Sequence, residues 1–340
     1  MAATIGDVAR LADVSVATVS RALRGLPNVA PATRARVIAA AEELAYVADP
    51  QASRLAAGRS RTVGVVVPRI GQWYYANMLE AVDSIVGAAG YDLLPFTLGD
   101  PSARERFLDQ MPFRKRVDGL IVVDVPMADE QLHRMAGANV PVVTVGLRTQ
   151  AFSSLTVENL RGSQLATEHL VGLGHERIAF IGGHQIEPFD FPIPELRRQG
   201  FERGMLAHGL EVVPEWTADA ELTPAGGADA MSRILHADQR PTGVVVMADE
   251  MAVGAIQVLR DLGLRVPEDV SIVGFDDHDL AEFLGLTTVR QDVHAQGRAA
   301  AGWILEAVVA AEVPEPHHEV LPTRLVVRRS TGVPAPVGVS

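Results

Sequence analysis

The chain has 340 residues, 48% hydrophobic and 21% charged, an ordinary balance for a globular protein long enough to bury a core without staples. At about 150 residues per domain, this length suggests two domains. There is no cysteine, which excludes disulfide frameworks, zinc–thiolate sites and cysteine nucleophiles and fits a reducing cytoplasm.

The first residues carry Asp7 and Asp13 and do not read as a signal peptide. No stretch reaches the ~20 apolar residues of a membrane span, so no membrane partner is expected. The formal net charge is −12, which opposes nucleic-acid binding only as an average. Residues 1–61 hold eight arginines against five acids, a net of +3, and the remainder carries −15. A basic head on an acidic body points to an anionic partner for the head alone.

Thr4 can cap a helix from Ile5, with Ile5, Val8, Ala9, Leu11 and Ala12 on one side and Asp7 three residues after the cap. Ala12-Asp13-Val14 reads as a tight turn, and Ser15 as the cap of a second helix to about Leu23, stopped at Arg24-Gly25. Pro31 suits the first position of a third helix through Ala45, with Val37, Ile38, Ala41 and Leu44 inward. A short helix-compatible segment, Gln51 to Ala57, follows Pro50, and residues 58–62 read as a linker.

Beyond Thr62, apolar runs alternate with helical patterns. Strands are expected at Val63–Val67, Leu93–Phe96, Gly119–Val123, Val142–Val145, Arg177–Ile181, Gly243–Met247 and Ser271–Gly274. Helices are expected at Met78–Ala89, Gly162–Leu173, Pro194–His208, Ala225–His236 and Met251–Leu262. This alternation predicts parallel sheets covered on both faces, in two doubly wound lobes. A late helix, Gly297–Val309, and a strand, Val320–Val327, are expected to cross back between them.

Two short helices joined by a tight turn form a helix-turn-helix. The second, ~13 Å long, fits a major groove ~12 Å wide. Ser15, Thr18, Ser20 and Arg21 give it an outer row of hydroxyls and one cation, suited to phosphates and base edges. Packing alone accounts for Val8, Val14 and Val19 but not for this row. No Gly-x-Ser-x-Gly, phosphate-loop or His-Glu-x-x-His pattern occurs, so no catalytic residue is assigned. Asp276-Asp277-His278-Asp279 reads as a strand end and His317-His318-Glu319 as a surface loop, and no metal is expected at either.

The segment Thr4-Ile-Gly-Asp-Val-Ala9 followed by Val14-Ser-Val-Ala-Thr-Val-Ser-Arg21 resembles the headpiece of the LacI/GalR family of bacterial repressors. Asn28-Val29-x-Pro31, Leu44-x-Tyr46 and Ala52-x-x-Leu55 continue the likeness. Val117-Asp-Gly-Leu-Ile121, Glu168 to His175, Val273-Gly-Phe-Asp-Asp277 and Thr287 to Asp292 extend it along the body. The resemblance implies a small all-α headpiece on an α/β, periplasmic-binding-protein-like body of two doubly wound lobes. The expected division is a headpiece at 1–46, a hinge helix and linker at 47–61, an effector-binding and dimerisation domain at 62–330 and a flexible tail at 331–340. Within the body, one lobe takes about 62–160 and 290–320, the other about 161–289 and 321–330.

The resemblance further implies that Val16 and Ala17 face operator bases and that Arg21 contacts a guanine or nearby phosphates. Thr4, Ser15, Thr18, Ser20, Asn28 and Thr33 would hold phosphates or adjacent base edges. Leu55 would be the wedge inserted in the minor groove at the centre of a palindrome. In the cleft, Arg197, Asp276, Trp73, Tyr74 and Asp190 would contact the effector, while Arg198 is expected to be solvated. The family pattern is broken at Ala48-Asp49 in the hinge, at Ala30 before the third helix, and at Gly146-Leu147 and Ala248. The last two remove polar groups from expected cleft positions.

The implied protein is a cytoplasmic, dimeric repressor of sugar uptake or catabolism genes, without cofactor, that binds double-stranded operator DNA and a small-molecule effector. A sugar or derivative is the expected effector, with a purine or nucleoside as the alternative. A solute-binding protein or an enzyme with an acquired head is the remaining class. The tail after Arg329 contains two prolines and no heptads, which favours a dimer over a tetramer.

Overall fold

The computed structural model describes residues 3–23, 25–46, 60–183, 192–310 and 314–335. It separates into two units, Met1–Arg61 and Thr62–Ser340. The hinge segment around Leu55 and the loop containing Asp190 lie outside the described residues.

The first unit holds helices α1 (Ile5–Leu11), α2 (Val16–Leu23) and α3 (Pro31–Glu43). Thr4 closes a capping box on α1: its Oγ1 accepts from the Asp7 N–H at 3.3 Å, and its own N–H donates to Asp7 Oδ2 at 2.9 Å. Ser15 caps α2 by accepting from the Thr18 N–H at 3.1 Å. One fully buried valine from each helix, Val8, Val19 and Val37, meets at the centre, with alanines around them. Two residues expected inward face out instead: Leu11 is 46% exposed and Ile38 42%. Three short helices enclose too little volume for more, so small residues such as Ala12 and Ala40 take the inner positions.

The second unit is built on two six-stranded sheets. The first has the order β11-β5-β4-β3-β1-β2 and comprises β1 (Thr62–Val67), β2 (Asp92–Thr97), β3 (Gly119–Val123), β4 (Val142–Val145), β5 (Ser153–Val157) and β11 (His318–Leu321). The second has the order β12-β10-β9-β8-β6-β7, from β6 (Ile178–Gly183), β7 (Thr217–Ala220), β8 (Gly243–Val246), β9 (Ser271–Asp276), β10 (Thr287–Arg290) and β12 (Arg324–Val326). All pairings are parallel except β10 with β12. The buried inner strands, such as β1 and β3, are continuous apolar runs, as sheets covered on both faces require.

Helices α4 (Trp73–Ala88) and α12 (Val293–Val309) pack together on the first sheet. Helices α7 (Asn159–Gly172) and α8 (Pro192–Ala207) pair on the second. So do α9 (Pro224–Ile234) and α10 (Asp249–Asp261), at backbone contact: a β-carbon at Gly254 would lie 1.7 Å from the Pro224 carbonyl oxygen.

The chain passes between the sheets after β5, after β10, and between β11 and β12. The expected single strand Val320–Val327 is therefore two, one in each sheet, and His317-His318-Glu319 runs into edge strand β11 rather than forming a loop. His318 Nδ1 bonds Ser154 Oγ at 2.7 Å there. The tail also departs from expectation. Gly332 donates its N–H to Ser271 Oγ at 3.1 Å, and its carbonyl bonds His175 Nε2 at 2.9 Å, so the chain is pinned to the second sheet beyond residue 330.

Candidate functional site

In the first unit, α2 turns Val19 and Ala22 inward, which leaves Ser15, Val16, Ala17 and Arg21 exposed and Thr18 and Ser20 half-buried. Val16 is 47% exposed, a large loss of apolar burial for a helix this short unless something covers it. The Ser15 and Thr18 hydroxyls bond each other at 2.9 Å. Thr4 directs both its N–H and its hydroxyl to Asp7, and these bonds hold the Asp7 carboxyl below its ordinary value. Asn28 is exposed with a left-handed φ of 75°, and Thr33 is half-buried near the start of α3. Ala30 precedes α3 without a side-chain cap.

The second unit has a cavity of about 210 Å³ between its sheets. Four of the expected effector residues, Trp73, Tyr74, Arg197 and Asp276, line it together. Trp73 and Tyr74 form the first turn of α4, which starts five residues before the expected Met78, with Gln72 at its N-cap.

Arg197 projects from α8 and is almost wholly buried. Its Nε donates to Asn159 Oδ1 at 2.9 Å, and a terminal nitrogen donates to the Met247 carbonyl. The same guanidinium pairs with Asp276 at 3.5 Å and lies 3.6 Å from the centre of the Phe275 ring. Asp276 ends β9 with a φ of 118°, a conformation L residues rarely adopt. It is held there by Arg197 and by Gln291 Nε2, which donates to Asp276 Oδ1 at 2.6 Å. Burial raises the Asp276 carboxyl to about 6, with Arg197 and Gln291 pulling against the rise.

A hydrogen-bond chain continues from this cluster into the other lobe. Gln296 donates to Gln291 Oε1 at 3.3 Å, and the Tyr74 hydroxyl donates to Gln296 Oε1 at 3.0 Å. Burial pushes the Tyr74 phenol well above its ordinary value, so it stays a neutral donor. Nearer the rim, Trp73 Nε1 donates to Asp279 Oδ2 at 2.9 Å, its N–H to Glu250 Oε1 at 3.2 Å, and its ring meets His278 at 4.8 Å. The first turn of α4 thus clasps the second lobe.

Sequence reading missed Asn159, Gln291 and Gln296, which stand at or just beyond two of the inter-sheet crossings. It also missed Asp124 at the end of β3. Asp124 follows an apolar run as Asp276 does, and ligands bind off the carboxyl ends of parallel strands, so that signal was present. Gly146 carries no polar group of its own, and the space it leaves is taken by a neighbour. A β-carbon there would lie 1.7 Å from Asp124 Oδ1, so the carboxylate of Asp124 fills the space Gly146 leaves. Arg198 is half-buried rather than free in solvent: it pairs with Asp219 and lies over the Phe180 ring at 5.4 Å. The acidic run 276–279 splits, Asp277 turning to Arg328 at 2.6 Å and Asp279 to Trp73.

These features define a helix-turn-helix unit followed by a two-lobed ligand-cleft fold. Residues 4–49 match the family model for bacterial regulatory proteins, lacI family, and residues 167–331 that for the periplasmic binding protein-like domain. Catabolite control protein A of Priestia megaterium is 32% identical over 335 residues, spanning 97% of this chain and all of the relative. The repressor PurR of Vibrio vulnificus is 33% identical over 332 residues, 96% of this chain and 98% of that one. The Lac repressor dimer bound to operator and the anti-inducer ONPF superposes with a TM-score of 0.84 at 27% identity, covering 98% and 100% of the two chains. The regulator CelR in complex with cellobiose gives 0.71 at 31% identity, covering 96% and 99%. The chain belongs to the lacI family of bacterial regulatory proteins and is a DNA-binding transcriptional regulator. Among the described residues, no helix is long and apolar enough to cross a membrane.

Proposed function

We propose that this regulator is a cytoplasmic homodimeric repressor that binds a palindromic operator and responds to a neutral sugar or sugar derivative in the inter-lobe cavity. The carrying observation is the cluster of Arg197, Asp276 and Gln291. It offers forked donors and charged acceptors beside the aromatic wall of Trp73 and Tyr74, a chemistry matched to vicinal hydroxyls. Arg21, Val16 and Ala17 read base edges, the apolar pair against thymine methyl groups. Ser15, Thr18, Ser20, Asn28 and Thr33 hold phosphates or neighbouring edges, Thr4 orients α1, and Leu55 wedges the central step. Because Tyr74, Gln296, Gln291 and Asp276 are bonded in series across the lobes, an effector that prefers one lobe angle shifts the equilibrium between DNA-binding states.

The flat aromatic wall also suits a purine or nucleoside, the second reading. Operator sites are selected from random duplexes with the full chain, and thermal-shift hits from a panel of sugars and nucleosides are then tested for DNA release. Release without turnover of the hit supports the proposal. Failure to select any duplex, or conversion of the hit to a product, overturns it.

A further inference from the structure

The body's net charge of −15 hides one basic corner. Arg114, Lys115 and Arg116 are the longest run of cations in the chain, and Lys115 is its only lysine. The run forms a tight turn between helix α5 (Pro101–Gln110) and β3. The N–H groups of Arg116 and Val117 donate to the Phe113 carbonyl at 2.9 and 3.1 Å, and Lys115 takes a left-handed φ of 61°. All three side chains are thereby set in solvent. Arg116 lies over the Phe96 ring at 5.5 Å, and among the described residues no carboxylate pairs with any of the three. Like charges held side by side repel one another, and an anionic partner relieves that repulsion.

The turn stands beside the point where the chain enters the body. Asp118, two residues beyond Arg116, donates its N–H to the Thr62 carbonyl at 2.8 Å, and Gly119 pairs with Val63. The cavity lies off the other end of the same sheet, where Asp124 and Gly146 follow β3 and β4. Residues 47–61 join Tyr46, packed against the helical core, to Thr62. Even fully extended, a segment of that length reaches no more than about 55 Å. A duplex held by the first unit is therefore tethered to the entry end of this sheet, at high effective concentration.

We propose that Arg114, Lys115 and Arg116 form a second DNA-contacting surface, meeting phosphates of the duplex that flanks the site read by the first unit. This goes beyond the contacts assigned to α2 and its neighbours and rests on operator binding by the full chain. The contact is electrostatic, carries no sequence preference and weakens with salt. The acidic body thus adds affinity outside the operator itself through one basic turn.

The test compares the full chain on a selected operator trimmed to the site and on the same site with about ten base pairs, one helical turn, added at each end. Because Lys115 is the only lysine, an acetyl succinimidyl ester labels one side chain besides the terminal amine, and peptide mass spectrometry reads its rate. Extended duplex at ten times its Kd should slow Lys115 labelling about 5–10-fold, and trimmed duplex should leave it unchanged. In salt titrations on the extended duplex, the variant Arg114→Gln, Lys115→Gln, Arg116→Gln should give a slope of log K against log salt about 2–3 units shallower per chain bound. On the trimmed duplex it should bind as wild type does. The variant Arg114→Lys, Lys115→Arg, Arg116→Lys should keep the wild-type slope, since phosphates are met as charges. Unchanged labelling with equal slopes overturns the proposal, and an acidic protein is then the remaining partner for the turn. Equal losses on both duplexes also overturn it, because the substitutions then act on the site and not on its flanks. Failure of wild type to bind any duplex overturns the operator reading with it.

Discussion

Arg197→Ala tests the centre of the cleft. The substitution removes a guanidinium that donates to Asn159 and to the Met247 carbonyl, pairs with Asp276 and covers the Phe275 ring. What remains is a buried Asp276 with Gln291 as its donor and two acceptors without theirs. Removing one partner of a buried pair costs about 3–5 kcal/mol. Each orphaned acceptor could add ~1–3 kcal/mol, but water entering the cavity offsets part of that, so about 3–5 kcal/mol is expected in total. At roughly 2–4 °C per kcal/mol for a body of this size, the melting temperature falls by about 6–20 °C.

All three tryptophans, Trp73, Trp216 and Trp303, lie in the body, so their fluorescence during urea unfolding reports that unit alone. Without Arg197 the Asp276 carboxyl rises further above its unfolded value. The deficit should therefore be greatest near pH 8 and shrink as falling pH protonates Asp276 in the folded state. Adding Asp276→Asn should recover at least about 1 kcal/mol of the loss. A deficit below about 1 kcal/mol, the same at pH 5 and pH 8, would refute the account.

Gly254→Ala drives a β-carbon into the Pro224 carbonyl oxygen and should cost about 3 kcal/mol or more by separating α9 from α10, with an unchanged unfolding midpoint as the contrary result. Burial raises Asp276 to about 6 and Asp124 to about 7. The folded body therefore holds protons that the unfolded chain releases above about pH 4. Burial lowers His169, His175 and His278, which act in the opposite sense below about pH 6.5. Stability without ligand should therefore fall as pH rises from about 6.5 to 8. Melting curves between pH 6.5 and 8 check the sign, and a profile that rises with pH there contradicts it. Arg21→Ala should weaken operator binding by about 1–3 kcal/mol and relax preference at one base pair. An unchanged affinity in gel-shift titrations removes Arg21 from base reading.

Much of the DNA-reading unit was legible locally. Thr4 and Ser15 cap their helices where expected, and Val16, Ala17 and Arg21 face outward because Val19 and Ala22 face in. Leu11 and Ile38 fit the helical period yet ended outside, since a three-helix core has no room for them. In the body, buried strands such as β1 and β3 announce themselves as apolar runs. β5, β7 and β10 were missed because they are short and carry polar residues, Thr-Ala-Asp-Ala in β7.

Sequence alone determined the helix-turn-helix, the alternation of strands and helices, and Asp276 at a strand end, because these depend on residues within a few positions of one another. Tertiary structure decided which residues share the cleft. Asp124, Gly146, Asn159, Arg197 and Gln291 are far apart in the chain and meet only through the order of strands in two sheets and the three passages between them. The space left by Gly146 is filled by the Asp124 carboxylate from the neighbouring strand, an arrangement visible only when β3 and β4 lie side by side.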